Sequence, residues 1–254
     1  MKILVQAVKG NHLHGFKSLF EAKKHQWIWW EESHTPAFDV FDELQPDLFI
    51  GYGEVSRAVI KCLKMYSYKT KVMCQIGPYT YVVNGETLSF PFLVNTEVHH
   101  AGADDNKLAC DIGCCEPPHP YLLSLCHPVG KFKIKILGDT PWPVPQYIGL
   151  ANWSDLVKLY QSASLVFAND IEEIGRAMAC GALCLTANEE ASKLLQEHIV
   201  FVDCKEALYD ECHQLLTSRT GERVSIVQNA LRYIYDNNLT YEHAFKQICS
   251  KLKI

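Results

Sequence analysis

Residues 164–187 read SLVFANDIEEIGRAMACGALCLTA, and this stretch carries the pattern that decides the fold. A short apolar run, SLVFA, leads through a polar turn into a segment with the apolar spacing of a helix. A second apolar run, ALCLTA, follows that helix directly. Two apolar runs joined by a helix predict parallel strands in one sheet, as in a βαβ unit. We therefore expect a parallel sheet with helices packed against it.

The same alternation extends through the C-terminal half of the chain. Four further strand patterns lie on either side of the deciding stretch, and helical patterns lie between them. Asn152 or Ser154 is placed to cap the helix that begins close to them. The strand patterns are LACDIGCC, KFKIKILGD, PQYIGLA and IVFVDC, and the helical ones are HPYLLSLC, NWSDLVKLYQSA, EEASKLLQEH, Lys205–Thr217, Glu222–Asp236 and Thr240–Leu252.

The N-terminal half predicts a second parallel sheet. Strand patterns alternate with a helix that runs through Phe20 to Lys24 and with a second helix over Glu54–Met65. The pair Asn84-Gly85 lies between two β-rich runs, which is a strong hairpin signal because both residues tolerate positive φ. The four strand patterns are MKILVQAV, HQWIWWEE, QPDLFIGYG and KTKVMCQIG.

A polar segment, AGADDNK at residues 101–107, separates the two series of strands and helices. We interpret it as a hinge, because polar and small residues are typical of connections between domains. The sequence thus predicts an α/β protein of two Rossmann-like domains facing a cleft, with boundaries at 1–105 and 106–238 and with C-terminal helices.

Composition limits the kinds of function. The 254 residues are 48% apolar and carry a net charge of −5, which are the values of an ordinary globular protein. No apolar stretch approaches the length of about 20 residues that a membrane span needs, so we expect a cytoplasmic protein without membrane contact. No run of basic residues marks a nucleic-acid surface, although a local basic face would still allow DNA as a substrate.

The eleven cysteines are scattered and odd in number, and several lie within apolar helix or strand patterns. Reduced thiols in the core are the simplest interpretation. One dense group could be drawn as a zinc site, but it lacks the paired C-x2-C spacing of such sites. We expect neither a metal nor a bound cofactor. This group consists of Cys110, Cys114, Cys115, His119, Cys126 and His127.

The segment from Ile134 to Cys249 resembles the C-terminal domain of the group 1 glycosyltransferases, in particular the spore-maturation CgeB-like branch. Four pieces stand in the family's order: KIKILGDTPW, YIGLANWSDLVKLYQSASLVFAND, IGRAMACGALCLT and LTYEHAFKQIC. The resemblance implies a GT-B fold, a nucleotide-sugar donor on the C-terminal domain, an acceptor on the N-terminal domain and no required metal. It also implies that a final helix, within 239–254, returns to the N-terminal domain.

The implied activity is transfer of a hexosyl or pentosyl group from the nucleotide-sugar to an acceptor hydroxyl. The acceptor could be a soluble molecule, a protein or a hydroxylated base of phage DNA. This chain departs from the family at Arg176, where relatives commonly have a glutamate that binds the donor ribose. The departure leaves an alternative, a non-catalytic nucleotide or nucleotide-sugar binding protein. A dinucleotide enzyme is disfavoured, because VKGNHLHGF follows the first strand in place of G-x-G-x-x-G.

The turn between the strand SLVFA and the following helix is the predicted donor site. A helix N-terminus offers free amides and a positive dipole end to a diphosphate, Gly175 permits close approach, and Arg176 could add a charge-assisted bond. A residue of this turn would also have to bind the donor ribose in place of the family glutamate that this chain lacks. Alternatively, the two glutamates only enrich the first turn of a surface helix and Arg176 pairs with one of them. The turn residues in this prediction are Asn169, Asp170, Glu172 and Glu173.

Two further groups complete the candidate site. In related folds the base stacks close to the strand before the nucleotide-binding helices, which implies Trp142 and Tyr147, with Gly138 at the tight strand-to-loop transition. The alternative is that both aromatic residues pack in the proline-rich loop. On the N-terminal side, loops after strands carry the catalytic candidates His12, His14 and Glu54, with Asn11 as a binding residue. A histidine there could orient or deprotonate an acceptor hydroxyl.

Overall fold

A computed structural model of the chain describes residues 1–7, 13–102, 105–127, 130–150 and 152–254. The chain divides into two compact units. The first unit contains Met1–Asn95 together with Leu239–Ile254, and the second contains Thr96–Asn238. The division at Asn95 and Thr96 precedes the boundary at residue 105 that the sequence predicted.

The first unit contains a six-stranded sheet in the order β2-β1-β3-β4-β5-β6. The first four of these strands pair in parallel, and β5 and β6 add an antiparallel hairpin. The hairpin turn at Asn84 and Gly85, where both φ angles are positive, was predicted and is confirmed. The strands are β1 Lys2–Gln6, β2 Gln26–Trp30, β3 Leu48–Tyr52, β4 Lys71–Gly77, β5 Thr80–Val83 and β6 Glu86–Ser89.

Helices pack against this sheet because each places an apolar stripe on the strands. Helix α1 ends at Ala22, since Lys24 has a φ of 61°, so the prediction that it continues to Lys24 was wrong. Helix α3 begins three residues later than predicted, because the Ser56 side chain caps it by accepting from the amide of Val59. The helices of the unit are α1 His14–Ala22, α2 Ala37–Leu44, α3 Arg57–Met65 and, at the end of the chain, α10 Tyr241–Leu252.

The final helix, α10, belongs to the first unit. Its inner face buries Phe245, whose ring lies 4.7 Å from that of Phe20 in an edge-to-face contact. Lys71 Nζ donates to the carbonyls of Leu252 and Lys253 at 2.6 and 2.9 Å, which pairs acceptors that the end of a helix leaves open. These contacts join the last residues of the chain to its first hundred.

The second unit contains a six-stranded, all-parallel sheet in the order β12-β11-β10-β7-β8-β9. Central strands of a parallel sheet are covered on both faces, which explains why every residue of LCLT in β11 is buried. The βαβ unit over residues 164–187 is confirmed. The strands are β7 Cys110–Cys114, β8 Ile134–Leu137, β9 Tyr147–Gly149, β10 Ala163–Phe167, β11 Leu183–Thr186 and β12 Val200–Phe201.

Six helices and one short 3-10 turn at Gln196–His198 complete the described part of the second unit. Asn152 is the N-cap of α5 and accepts from the amide of Asp155, as one of the two predicted alternatives had it. Among the described residues, no helix combines the length and the apolar character that a membrane span requires. The helices are α4 Pro120–Leu125, α5 Trp153–Ser162, α6 Ile171–Ala179, α7 Glu189–Leu195, α8 Lys205–Thr217 and α9 Thr220–Asp236.

Candidate functional site

A pocket of about 450 Å³ opens at the carboxyl end of the sheet in the second unit. The residues that follow β7, β8 and β10 form its floor, and the start of α5 forms one wall. Its lining consists of Cys115, Glu116, Pro117, Gly138, Asp139, Asn152, Trp153, Leu156, Asp170 and Glu173.

The pocket lies at the point where the strand order reverses. From β7 the chain moves outward through β8 to β9, and α5 then returns it to β10 on the other side of β7. The loops after β7 and β10 therefore diverge and leave a crevice between them. Open α/β sheets bind their ligands in such a crevice, so topology alone selects this position.

The amides at the start of α6 are paired within the protein. Asp170 Oδ1 accepts from the amides of Glu172 and Glu173 at 2.9 and 3.1 Å. Glu116 Oε1 accepts from the amide of Asp170 at 2.7 Å and from that of Asn169. The prediction that these amides are free for a diphosphate was therefore wrong, because two carboxylates already occupy them.

Asn169 connects the ends of two strands behind the pocket. Its Oδ1 accepts from the amide of Ala187 at 2.8 Å and from the Thr186 hydroxyl at 3.2 Å. Its carbonyl oxygen accepts from Asn188 Nδ2 at 2.6 Å. These bonds fix the loop after β10 against the loop after β11, so Asn169 shapes the site without lining it.

Arg176 is engaged by its neighbours on α6 and α5. Its Nη1 donates to Glu173 Oε2 at 2.6 Å, and its Nη2 forms an ion pair with Glu172. The guanidinium carbon lies 4.6 Å from the centre of the Trp153 ring, which is a cation–π contact. The pairing of Arg176 with the glutamates, given above as the alternative to a phosphate contact, is what the structure contains.

Two partly buried carboxyl groups, those of Glu116 and Glu173, dominate the electrostatics of the pocket. Burial and the nearby Glu116 raise the pKa of Glu173 to about 7. Burial also raises the pKa of Glu116, and the amides of Asp170 and Asn169 counteract this by donating to its carboxylate. The hydroxyl of Tyr160 donates to Glu173 Oε1. Glu173 is thus a carboxyl group whose charge changes close to neutral pH, inside a pocket.

The other residues that were predicted to bind the nucleotide-sugar differ in whether they line the pocket. Gly138 lines the pocket, and a Cβ there would lie 3.0 Å from the carbonyl oxygen of Cys115. Trp142 is 5% exposed in the core and donates from Nε1 to the carbonyl oxygen of Glu116 at 2.9 Å, so its predicted role in base stacking was wrong. Tyr147 is half-buried in β9 and donates to the carbonyl oxygen of Gly138 at 2.9 Å. Gly175 is buried within α6.

Of the predicted acceptor-side residues, His14 and Glu54 lie in the described part of the first unit. Asn11 and His12 lie outside the described residues. His14 begins α1, and Glu54 is exposed in the loop between β3 and α3. Their catalytic roles stay predictions.

Several residues of the pocket were not singled out from the sequence. Glu116 and Asp139 follow β7 and β8, and Trp153 begins α5 with 55% of its surface exposed. The sequence signal that could have identified Glu116 and Asp139 is their position directly after strands, because the first polar residues after parallel strands meet at one edge of the sheet. An exposed tryptophan beside a pocket is an informative exception to burial.

The thiols of the described residues are free, and one of them lines the pocket. Within the described ranges, no group of three or more His, Cys, Asp or Glu side chains is arranged to hold a metal ion. All eleven cysteines fall within those ranges, and none of them forms a disulfide. Burial, together with Glu173, raises the pKa of the Cys115 thiol that lines the pocket. A thiol in that state is protonated at neutral pH and is a poor nucleophile.

The two six-stranded sheets define the GT-B fold, which the solved structures similar to this chain share. One is an alpha-glucosyltransferase in complex with UDP and a 13-mer DNA containing a HMU base, with a TM-score of 0.62, 10% identity and complete coverage of both chains. Another is a putative UDP-N-acetylglucosamine 2-epimerase from Listeria monocytogenes, with a TM-score of 0.52, 9% identity and 90% of each chain covered. A third is the glycosyltransferase SnogD from Streptomyces nogalater, with a TM-score of 0.50, 9% identity and 98% of each chain covered.

Comparison of sequences adds no closer relative. No protein-family model matches the chain, and no curated protein matches it. At identities of about a tenth, the structural likeness establishes the fold.

Proposed function

We propose that this protein is a glycosyltransferase that moves a sugar from a nucleotide-sugar donor to an acceptor hydroxyl. The observation that carries the proposal is the pocket at the strand-order reversal of the second unit, in a chain with the GT-B fold. Similar structures include an alpha-glucosyltransferase in complex with UDP. The donor in the proposal is accordingly a UDP-sugar.

The lining of the pocket suits the uncharged parts of such a donor. Carboxylates accept hydrogen bonds from hydroxyl groups, and Glu116, Asp139, Asp170 and Glu173 all line it. The exposed ring of Trp153 offers an apolar face on which a base or a sugar can stack. A diphosphate would be repelled by this acidic lining, so we assign it to the rim of the pocket and not to the amides of α6.

The acceptor and its site belong to the same proposal. We assign the acceptor to the first unit, with Asn11, His12, His14 and Glu54 as candidates. A hydroxylated base in DNA is one acceptor class, because a similar structure contains DNA with a HMU base. The net charge of −5 requires that such DNA contact a local basic face.

The finer classification rests on the sequence pattern. We propose membership in the group 1, CgeB-like branch on the strength of the four pieces between residues 133 and 249. We also propose that transfer requires no metal and takes place in the cytoplasm. A non-catalytic binding protein would share the pocket and would differ only in turnover.

Binding and transfer are tested in sequence. UDP, GDP and TDP are titrated calorimetrically into the full chain, and a radiolabelled UDP-glucose is then incubated with DNA that contains or lacks hydroxymethyluracil. We expect UDP to bind and label to enter only the modified DNA. Binding of UDP with neither labelled DNA nor hydrolysis of the donor would identify a binding protein, whereas interconversion of the free donor would identify an epimerase.

Trp153→Ala tests whether the pocket is the donor site. We expect it to weaken UDP binding by about tenfold, because stacking of a base on an aromatic ring contributes about 1–3 kcal/mol. The matched control is Tyr235→Ala, which removes a comparably exposed aromatic residue from α9 of the same unit. Equal affinities of the Trp153 variant and the wild type would place the donor elsewhere.

A further inference from the structure

Arg176 contacts two side chains that line the pocket, although it is not itself a lining residue. Its Nη1 is 2.6 Å from Glu173 Oε2, and its guanidinium carbon is 4.6 Å from the centre of the Trp153 ring. Glu173 belongs to α6 and Trp153 to α5. One cation therefore connects the pocket-facing residues of two different helices.

We propose that Arg176 is a positioning residue of this pocket: it holds the Glu173 carboxylate and the Trp153 indole in the arrangement that meets the ligand, without contacting the ligand. The ligand-binding part of this inference rests on the proposed donor site. The contacts within the protein do not depend on it.

The contacts of the Glu173 carboxylate and the Arg176 guanidinium leave both side chains little conformational freedom. Both oxygens of the Glu173 carboxylate have donors, Tyr160 on Oε1 and Arg176 on Oε2. The second guanidinium nitrogen of Arg176 pairs with Glu172. A planar guanidinium can serve two carboxylates in its plane while its face lies on an indole, and a lysine ammonium cannot do both. The chemistry of the contact therefore requires arginine at this position.

Arg176 also affects the charge of Glu173. Burial and then Glu116 raise the pKa of Glu173, and Asp139 and Asp170 line the same pocket. Glu172 shares the guanidinium, and the Tyr160 hydroxyl donates from α5. A guanidinium in contact favours the ionised form of a carboxyl group, so Arg176 opposes the effect of the acidic neighbours. The ionised form accepts hydrogen bonds from ligand hydroxyls.

A titration without ligand tests the effect on charge. Carbon-13 NMR follows the glutamate carboxyl signals of the full chain with pH, and Glu173→Gln identifies the signal of Glu173. We expect the Glu173 midpoint to move to higher pH in Arg176→Gln and to return most of the way in Arg176→Lys, which keeps the charge. An unchanged midpoint in Arg176→Gln would overturn the inference. Thermal melts check that each variant is folded.

A double-mutant cycle with UDP tests the positioning role. We expect Arg176→Gln and Glu173→Gln each to weaken binding by about tenfold, and the double variant to lose less than the two single losses combined, because only the contact of Arg176 with Trp153 remains to be removed once Glu173 is replaced. The loss in Arg176→Gln should also shrink as pH rises, because the carboxyl group becomes ionised. A direct phosphate contact predicts the same loss with or without Glu173 at every pH, and that result would refute positioning. If wild type does not bind UDP, the proposed donor site fails, and the NMR titration alone decides the role of Arg176.

Discussion

The carboxyl group of Glu173 is partly buried among acidic residues and lines an open pocket. A carboxyl group in such a place has an energetic cost when it is ionised, because burial removes it from water and Glu116 repels its charge. Functional sites often contain groups of this kind, since a pKa close to neutral pH lets a group change charge under working conditions. The same property couples the stability of the protein to pH.

We expect Glu173 to lower the free energy of unfolding as pH rises from about 5 to 7. The pKa of Glu173 is raised to about 7 by burial and by Glu116, whereas an unfolded chain has a glutamate pKa of about 4.3. At Glu173 the folded protein therefore binds more protons than the unfolded one in this window, and the stability that this group contributes is lost through it. The slope from one such group reaches about 1.4 kcal/mol per pH unit.

Urea melts at several pH values measure this slope. Glu173→Gln should flatten it, because the amide has no proton to release. Glu197→Gln, at an exposed position, is the matched control and should leave the slope unchanged. A Glu173 variant with the wild-type slope would show that the group titrates as it does in the unfolded chain.

Individual site residues were predictable only where local sequence carries the signal. Asp170 follows a strand and precedes a helix, which marks a cap, and it caps α6 as well as lining the pocket. Glu116 lies 54 positions earlier than Asp170 and reaches its amide through the pairing of β7 with β10. No local pattern reports that approach. Trp142 was misassigned because a proline-rich loop does not reveal which of its aromatic residues faces the core.

At the scale of elements, α1 and α10 approach each other closely through a glycine. A Cβ on Gly15 would lie 2.6 Å from the ring of Tyr241. The ring of Tyr241 also contacts Phe16 edge to face, with ring centres 5.2 Å apart. The absence of a side chain at Gly15 is therefore what allows the two helices to pack.

Gly15→Ala should destabilise the first unit by about 1–3 kcal/mol, because the added methyl group forces the helices apart. Gly221→Ala in α9 is the control: its Cβ would meet nothing within 4 Å, and alanine favours a helix by about 0.5–1 kcal/mol over glycine. Thermal unfolding of both variants checks the contrast. Equal effects of the two substitutions on thermal unfolding would show that the two helices accommodate the added methyl group beside Tyr241 without loss of stability.

The elements were predicted best where their patterns are long or strongly marked. The helix over Lys205–Thr217 has the bounds that the sequence indicated, and the central strands fall on the predicted patterns with shifted ends. Helix α2, Ala37–Leu44, was missed because eight residues after a proline show barely two turns of period. Its position is set by burial of Phe41 against the sheet, which is a tertiary effect.

For the whole molecule, the division into units does not follow the order of the chain. The first unit needs both ends of the sequence, since Leu239–Ile254 completes it. The two segments meet at a bridge between Val94 and Thr240. The sequence suggested the number of units through its two series of strands. The polar segment at residues 101–107 was a poor guide to the boundary, because polarity reports exposure and not the limits of a core.

Truncation after Asn238 should unfold the first unit. It removes the buried face of α10 and the hydrogen bonds from Lys71, and each buried apolar side chain contributes about 1.5–3 kcal/mol. Such a loss approaches the total stability of about 5–15 kcal/mol that a domain has. Hydrogen exchange read by mass spectrometry would report rapid exchange in residues 1–95 only. Removal of Ile254 alone is the control. In that variant, residues 1–95 should be as well protected from hydrogen exchange as they are in the wild type.

The membership of α10 in the first unit has a consequence for synthesis on the ribosome. Translation delivers residues 1–95 before the segment that completes their core, which emerges only after all of residues 96–238. The early part of the chain must therefore wait, with the apolar surface beneath α10 uncovered, while the later unit can already fold. We expect nascent chains of residues 1–238, stalled through an added linker that spans the ribosomal exit tunnel, to resist protease in the second unit and to be cut in the first, the reverse of the usual N-terminal-first order.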